Sequence, residues 1–200
     1  MKMLPKIFVI AVFVFCLGSV AESRVDRLEI LERMAFAQGH QFGDSGAYER
    51  ILGRLHYAVD PKNEMANRLI VDLSLAPLDS RGMVTFSGDF MLLRPVEPDR
   101  GNGTLLYEVG NRGNVGMLSF FNDALSTNQP ISLTDAGNGF LFRKGYTLLW
   151  SAWNWDVTEG NHRMQIDLPV ASDGMDPIVS PIVAEITVTS PSQCEPFAWG

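Results

Sequence analysis

Thr104-Leu105-Leu106-Tyr107-Glu108-Val109-Gly110-Asn111-Arg112-Gly113 decides the fold. Its first six residues form a compact, mostly apolar run of the kind that fills a central strand. Glycines at 110, 113 and 116 then punctuate the chain, and Met117 to Leu125 suits a short helix. Further on, Phe140 to Gly145 has the pattern of a helix end with a glycine stop. Tyr146 to Trp150 is a second compact apolar run. Strand, glycine-rich loop, helical stretch and strand make a βαβ unit, which implies parallel pairing.

Upstream the pattern differs. Ile51, Gly53, Leu55, Tyr57 and Val59 alternate with Leu52, Arg54, His56 and Ala58 before Asp60-Pro61. Val84, Phe86, Gly88, Phe90 and Leu92 alternate with Thr85, Ser87 and Asp89 before Pro95. A period of two predicts strands, and proline closes each. Arg24 to Arg33 and Leu69 to Leu73 read as two more strands, so the front half predicts an antiparallel meander. Past Trp155, Met164 to Val170 and Val183 to Ser190 read as strands around proline-rich turns.

The start of the chain carries a different signal. Lys2 and Lys6 precede an apolar run from Ile7 to Leu17, and Ser19-Val20-Ala21 supplies small residues for cleavage. This is the pattern of a secretory signal peptide covering residues 1–21. The run is shorter than the ~17 to 25 apolar residues a bilayer requires, so no stable membrane anchor is expected after cleavage. The expected location is secreted or periplasmic. Removing Lys2 and Lys6 takes the net charge from −7 to about −9. No basic stripe is left to release counterions from a phosphate backbone, which excludes nucleic acid as a partner. Cys194 is then the only cysteine, so stability must come from an apolar core. The closing Pro196-Phe197-Ala198-Trp199-Gly200 has no polar tail, which predicts that the chain is the front part of something longer.

Several short motifs compete for a functional reading. The glycines at 110, 113 and 116 let backbone N–H groups point outward, as a loop that holds an anion requires. They do not fit G-x-G-x-x-G and no Walker lysine follows, so no cofactor is expected. A tight turn that needs positive φ explains them equally well. Gly43-Asp44-Ser45-Gly46-Ala47 has the outline of a nucleophile elbow, but Ser45 lies in a polar loop before a strand. His40, His56 and His162 have no ligand spacing with one another or with Cys194, so no metal site is expected. Glu108 and Asp156 could pair as in a glycosidase. Trp150, Trp153 and Trp155 form a dense aromatic group that suits either a pocket wall or the core. Asn102-Gly103-Thr104 is a glycosylation sequon in a eukaryotic secretory pathway.

Together, an ordered series of these segments is similar to one family. The series begins with Gly46-Ala47-Tyr48-Glu49-Arg50, Gly53, Val59-Asp60-Pro61, Asp72-Leu73 and Ala76-Pro77. It continues through Gly82-Met83-Val84-Thr85-Phe86, Asp89-Phe90, Leu106-Tyr107-Glu108-Val109 and Asn111-Arg112-Gly113. Phe121-Asn122, Gly139-Phe140-Leu141 and Gly145-Tyr146-Thr147-Leu148-Leu149-Trp150-Ser151-Ala152-Trp153 complete it. In this order they resemble the N-terminal portion of exported bacterial α/β-hydrolase domain-containing proteins, which are much longer chains.

The resemblance implies an α/β fold with large β content. A β-rich region (22–100) would lead into the start of an α/β-hydrolase-like domain (101–200), incomplete in this chain. Asn111, Arg112 and Gly113 would occupy the oxyanion loop, and the nucleophile, acid and histidine would lie further along the chain. The substrate of the longer enzyme would be a small-molecule ester. The alternative is a non-enzymatic exported β-domain that binds carbohydrate or a cell-envelope partner through Trp150, Trp153 and Trp155.

Overall fold

A computed structural model describes residues 24–181 and 183. The segment read as a signal peptide, Cys194, the closing aromatics and most of the expected 183–190 strand lie outside the described residues.

Three twelve-residue strands make the front half: β1 (Arg24–Ala35), β2 (Tyr48–Val59) and β3 (Val84–Pro95). They pair antiparallel in sequence order, so the meander expected from the period-two alternation is present. Two register shifts interrupt β1 against β2. Such bulges increase the local twist and bend the edge strand. Between β1 and β2 the chain buries Phe36 and Phe42, whose rings pack with Tyr48 and Phe142 at centroid separations of 4.8 to 6.1 Å. Tyr48 is wholly buried, and its single O–H is shared between the carbonyls of Phe142 (3.1 Å) and Tyr146 (3.0 Å). Burial pushes the Tyr48 phenol well above its ordinary pKa, so this donor stays protonated.

The second half adds β4 (Leu105–Glu108) and β5 (Thr147–Ser151), which pair in parallel as the βαβ pattern requires. Their connection carries α2 (Met117–Asn122) and α3 (Phe140–Arg143), after the single-turn α1 (Glu64–Asn67) of the front half. Gly145, two residues past α3, has φ +75°, the left-handed conformation of a glycine helix stop. Met117, Leu118, Leu141 and Phe142 turn inward onto Met91, Leu93, Leu148 and Trp150 of the sheet, forming one core. β5 also pairs antiparallel with β3 from Leu93↔Leu148 to Phe90↔Ser151. The mixed sheet runs β1-β2-β3-β5-β4, with the two-residue β6 (Ile166–Asp167) also on β3. The regions before and after residue 100 therefore share one sheet and one core. A small hairpin of β7 (Ser172–Asp173) and β8 (Asp176–Pro177) follows.

Three expectations are corrected. Leu69 to Leu73 is a series of turns: Leu69 and Val71 are exposed, and Asp72 takes φ +56°, which ends any extended run. Among the described residues that short apolar stretch has no neighbouring strand to pair with, and pairing is what makes a strand. From Met164 to Val170 only Ile166 and Asp167 join the sheet, opposite Gly88 and Ser87 of β3 and just before the stretch of β3 that pairs with β5. Leu105 to Val109, expected at the centre of a sheet, is an edge strand. Nothing among the described residues pairs with the outer side of β4, and Leu105 (54%) and Tyr107 (47%) are exposed on the face turned away from the core.

Candidate functional site

The carboxyl end of a parallel strand is where α/β folds place chemistry. In this chain that end is Glu108, followed by the turn that begins the β4–β5 connection. Glu108 lies half-buried, and its carboxylate accepts from the backbone N–H groups of Gly116 (3.0 Å) and Met117 (2.7 Å). It also accepts from the Trp150 indole N–H. The carboxylate thus caps the first turn of α2 and ties β4 to β5. A charged acceptor at exposed helix N–H groups is a strong arrangement.

The Asn111-Arg112-Gly113 turn is held from the other side. Arg112 takes φ 51° and ψ 48°, and Gly113 takes φ +75°. A side chain added to Gly113 would come within 2.6 Å of the Met164 carbonyl oxygen, so glycine is required by conformation and by space. The Arg112 N–H donates to the Asn154 side-chain oxygen at 3.0 Å, and its guanidinium grips Asp156 through Oδ2 (2.7 Å) and the main-chain carbonyl (2.9 Å). The Met164 N–H donates to the Gly113 carbonyl (3.0 Å). Asn128 completes the clamp: its oxygen accepts from the Val115 N–H (2.8 Å), and its amide donates to Asn114 (3.0 Å) and to the Asn161 carbonyl (2.9 Å).

This geometry sorts the sequence candidates. Asn111 and Arg112 are exposed or half-buried and Gly113 is buried, so the three are brought together in one rigid turn. Glu108 and Asp156 are not free carboxylates facing a substrate, because the first is engaged by backbone and indole N–H groups and the second by Arg112. A glycosidase pair is therefore not assembled. Trp150, Trp153 and Trp155 do not form one surface. Trp150 is 1% exposed and belongs to the core, whereas Trp153 and Trp155 are 51% and 76% exposed. The Trp153 indole N–H donates to the Gly110 carbonyl, which makes it a further brace on the turn. Ser45 is buried in a short turn before β2, and its hydroxyl lies 3.4 Å from the Arg143 carbonyl. It is not at a strand-to-helix corner.

His56 lies on β2 with its Nε2 2.8 Å from Glu29 Oε2 and 2.8 Å from Arg27 Nη2. The hydrogen bond from His56 is the main influence holding the Glu29 carboxyl below its ordinary range, assisted by Arg27. His40 packs edge-on against Phe42, with ring centroids 4.9 Å apart. Among the described residues no three His, Cys, Asp or Glu side chains gather as a metal site, and no helix is long and apolar enough to cross a membrane.

A cleft of about 240 Å³ adjoins the clamped turn, lined by residues of β2 and β3 together with Asn128, Gln129 and residues 162–164. Sequence reading missed it, because its walls lie far apart along the chain. A local signal is the Glu49-Arg50 charge pair set inside a strand. No family model matches the chain, and no curated protein or solved structure matches it.

Proposed function

We propose that the chain is the front part of an exported serine-hydrolase-like enzyme that acts on a small-molecule ester. The observation that carries this reading is the tight Asn111-Arg112-Gly113 turn at the carboxyl end of β4, next to its parallel partner β5. In an α/β hydrolase, a loop at that place lends one N–H to the oxyanion hole, and the second N–H follows the nucleophile. The Arg112 N–H is already taken by Asn154 and Gly113 is buried, which supports assigning the donor to the exposed Asn111 in this reading. Glu108, Asn128 and Asn154 hold the turn rigid, and preorganised donors are what stabilise a developing oxyanion. In this reading the nucleophile, acid and histidine are supplied by residues that follow Gly200 in the full-length enzyme.

The test is hydrolysis of p-nitrophenyl butyrate by the full-length gene product. Asn111→Asp places a negative charge beside the oxyanion and is expected to lower kcat at least about tenfold with the melting temperature unchanged. An unchanged kcat would count against the reading.

A second reading is favoured by the exposure of Trp153 and Trp155, which leaves indole surface available to stack on a sugar ring. A saturable fluorescence change with cello-oligosaccharides, lost in Trp155→Ala, would support that reading over the first.

A further inference from the structure

We propose that the cleft beside the clamped turn binds a small carboxylate bearing a short apolar tail. Such a site goes beyond the hydrolase reading and does not depend on it.

Two buried arginine donors without a partner face this cleft. Among the described residues, four buried side-chain polar atoms lack a partner: Arg50 Nε, Arg54 Nε, Arg163 Nε and Gln165 Nε2. All four are N–H donors and none is an acceptor. Folded proteins leave few such groups, and each one that remains calls for an explanation. Two of the four belong to the cleft and the other two lie beside one of its residues. Arg50 and Arg163 line the cleft directly. Arg54 and Gln165 flank Asp89, a third lining residue: Arg54 Nε is 3.9 Å from Asp89 Oδ1, and the Gln165 backbone N–H donates to Oδ2 at 2.8 Å. Arg54 is met by Asp167 and the Ser87 carbonyl, so the unmet donors that face the cleft itself are those of Arg50 and Arg163, which an anionic ligand would satisfy.

Charge points the same way. The Arg50 side chain is 1% exposed, and its guanidinium meets Glu32 at 3.1 Å and the Pro130 carbonyl at 3.3 Å. Glu32 itself is half-exposed, so water weakens its compensation. Arg163 has no carboxylate partner among the described residues, and its Nη1 reaches only the Thr158 carbonyl at 3.4 Å. The chain that carries Arg163 is held by two consecutive non-glycine residues in the left-handed region, Asn161 (φ 50°) and His162 (φ 51°). Strain of this kind persists where neighbouring structure fixes it, which Asn128 does through the Asn161 carbonyl.

Size and lining narrow the ligand. A volume of about 240 Å³ equals that of about eight waters, or of a ligand with a similar number of heavy atoms. Phe90, Met91 and Met164 give the cleft an apolar side, whereas Asn128, Gln129 and Arg163 give it a polar one. Asp89 repels a dianion more than a monoanion, which disfavours phosphate. A planar monoanion matches a guanidinium in geometry.

The experiment is isothermal titration of the chain with hexanoate, with hexanamide and inorganic phosphate as comparison probes. Hexanoate is expected to bind saturably at one site. Arg163→Gln is expected to weaken it at least about tenfold, and both comparison probes are expected to bind at least about tenfold more weakly. Gln129→Leu, further from the core, is expected to weaken hexanoate as well and serves if the arginine variant fails to fold. Absence of saturable hexanoate binding up to about 10 mM in protein with a native circular dichroism spectrum would overturn the proposal. So would undiminished affinity in the folded variants, or tighter binding of phosphate than of hexanoate.

Discussion

The two edges of the sheet are built on opposite plans. β1 is twelve residues long, carries two register shifts and interleaves its exposed Leu28, Ile30 and Leu31 with charged residues. Several of those charges reach across to β2: Glu29 to His56, Glu32 to Arg50, Arg33 to Glu49. β4 has four residues and one charge, and that charge is turned to the protein side. Its other face shows Leu105 and Tyr107, and exposed Val109 follows directly. Bulges and charges are the usual protection of a free strand edge, and β1 has both. β4 has neither. The difference teaches that β1 is made to face water, whereas β4 has the composition of a strand with neighbours on both sides.

The largest expected effect lies on the β4 side. Glu108→Ala leaves two helix N–H groups and the Trp150 indole without their acceptor, and is expected to cost about 3 kcal/mol in urea unfolding. The matching change on the other edge, Glu29→Ala, removes only an exposed interaction and is expected to leave stability nearly unchanged. Equal losses would erase the contrast between the edges.

Next in size is Gly113→Ala, expected to cost about 2 kcal/mol because the added carbon meets the Met164 carbonyl at a backbone that requires positive φ. A fully stable alanine variant would mean the turn is not locked against residues 163–164.

Leu105→Lys with Val109→Lys tests the edge itself. The parent chain is expected to self-associate as concentration rises, and the double variant to remain monomeric in sedimentation velocity. Its stability should move by no more than about 0.5 kcal/mol. Unaltered association would place the sticky surface elsewhere.

The smallest effect is a pH dependence within the β4–β5 connection. Partial burial works to raise the Asp135 pKa, but hydrogen bonds from the Ile131 and Ser132 N–H groups and the Ser132 hydroxyl outweigh it and hold the carboxyl below its ordinary value near 3.8. A depressed folded-state pKa gives stability that is present above the unfolded value and lost as pH falls through the folded one. Asp135→Asn should therefore lower the melting temperature at pH 7, with the gap closing below about pH 3. A gap that persists in acid would show that charge is not the cause.

Legibility in the sequence followed the range of the forces involved. β2 and β3 were readable because apolar and polar residues alternate along Ile51 to Val59 and Val84 to Leu92, although the core is built mainly from the other face, Tyr48, Leu52, Met91 and Leu93, and both faces are buried where the strands pair. The parallel pair was readable because glycine and apolar blocks mark a crossover. Leu69 to Leu73 misled because apolar composition without a partner strand is not a strand. The tryptophans misled for a related reason: Trp150 belongs to β5 and points inward, while Trp153 and Trp155 come after the strand has ended and follow no alternation. Nothing local showed that Glu108 would cap α2 nine residues later, or that Arg50 and Arg163 would share a cleft. Both depend on how the crossover folds back against the sheet.

The most direct test of the proposed hydrolase reading is activity-based labelling of the full-length gene product with a fluorophosphonate, the modified serine being located by mass spectrometry. One labelled serine is expected, outside residues 1–200 and on a strand-to-helix turn. Labelling of Ser45 or any other serine within these residues, or no labelling at all, would contradict it.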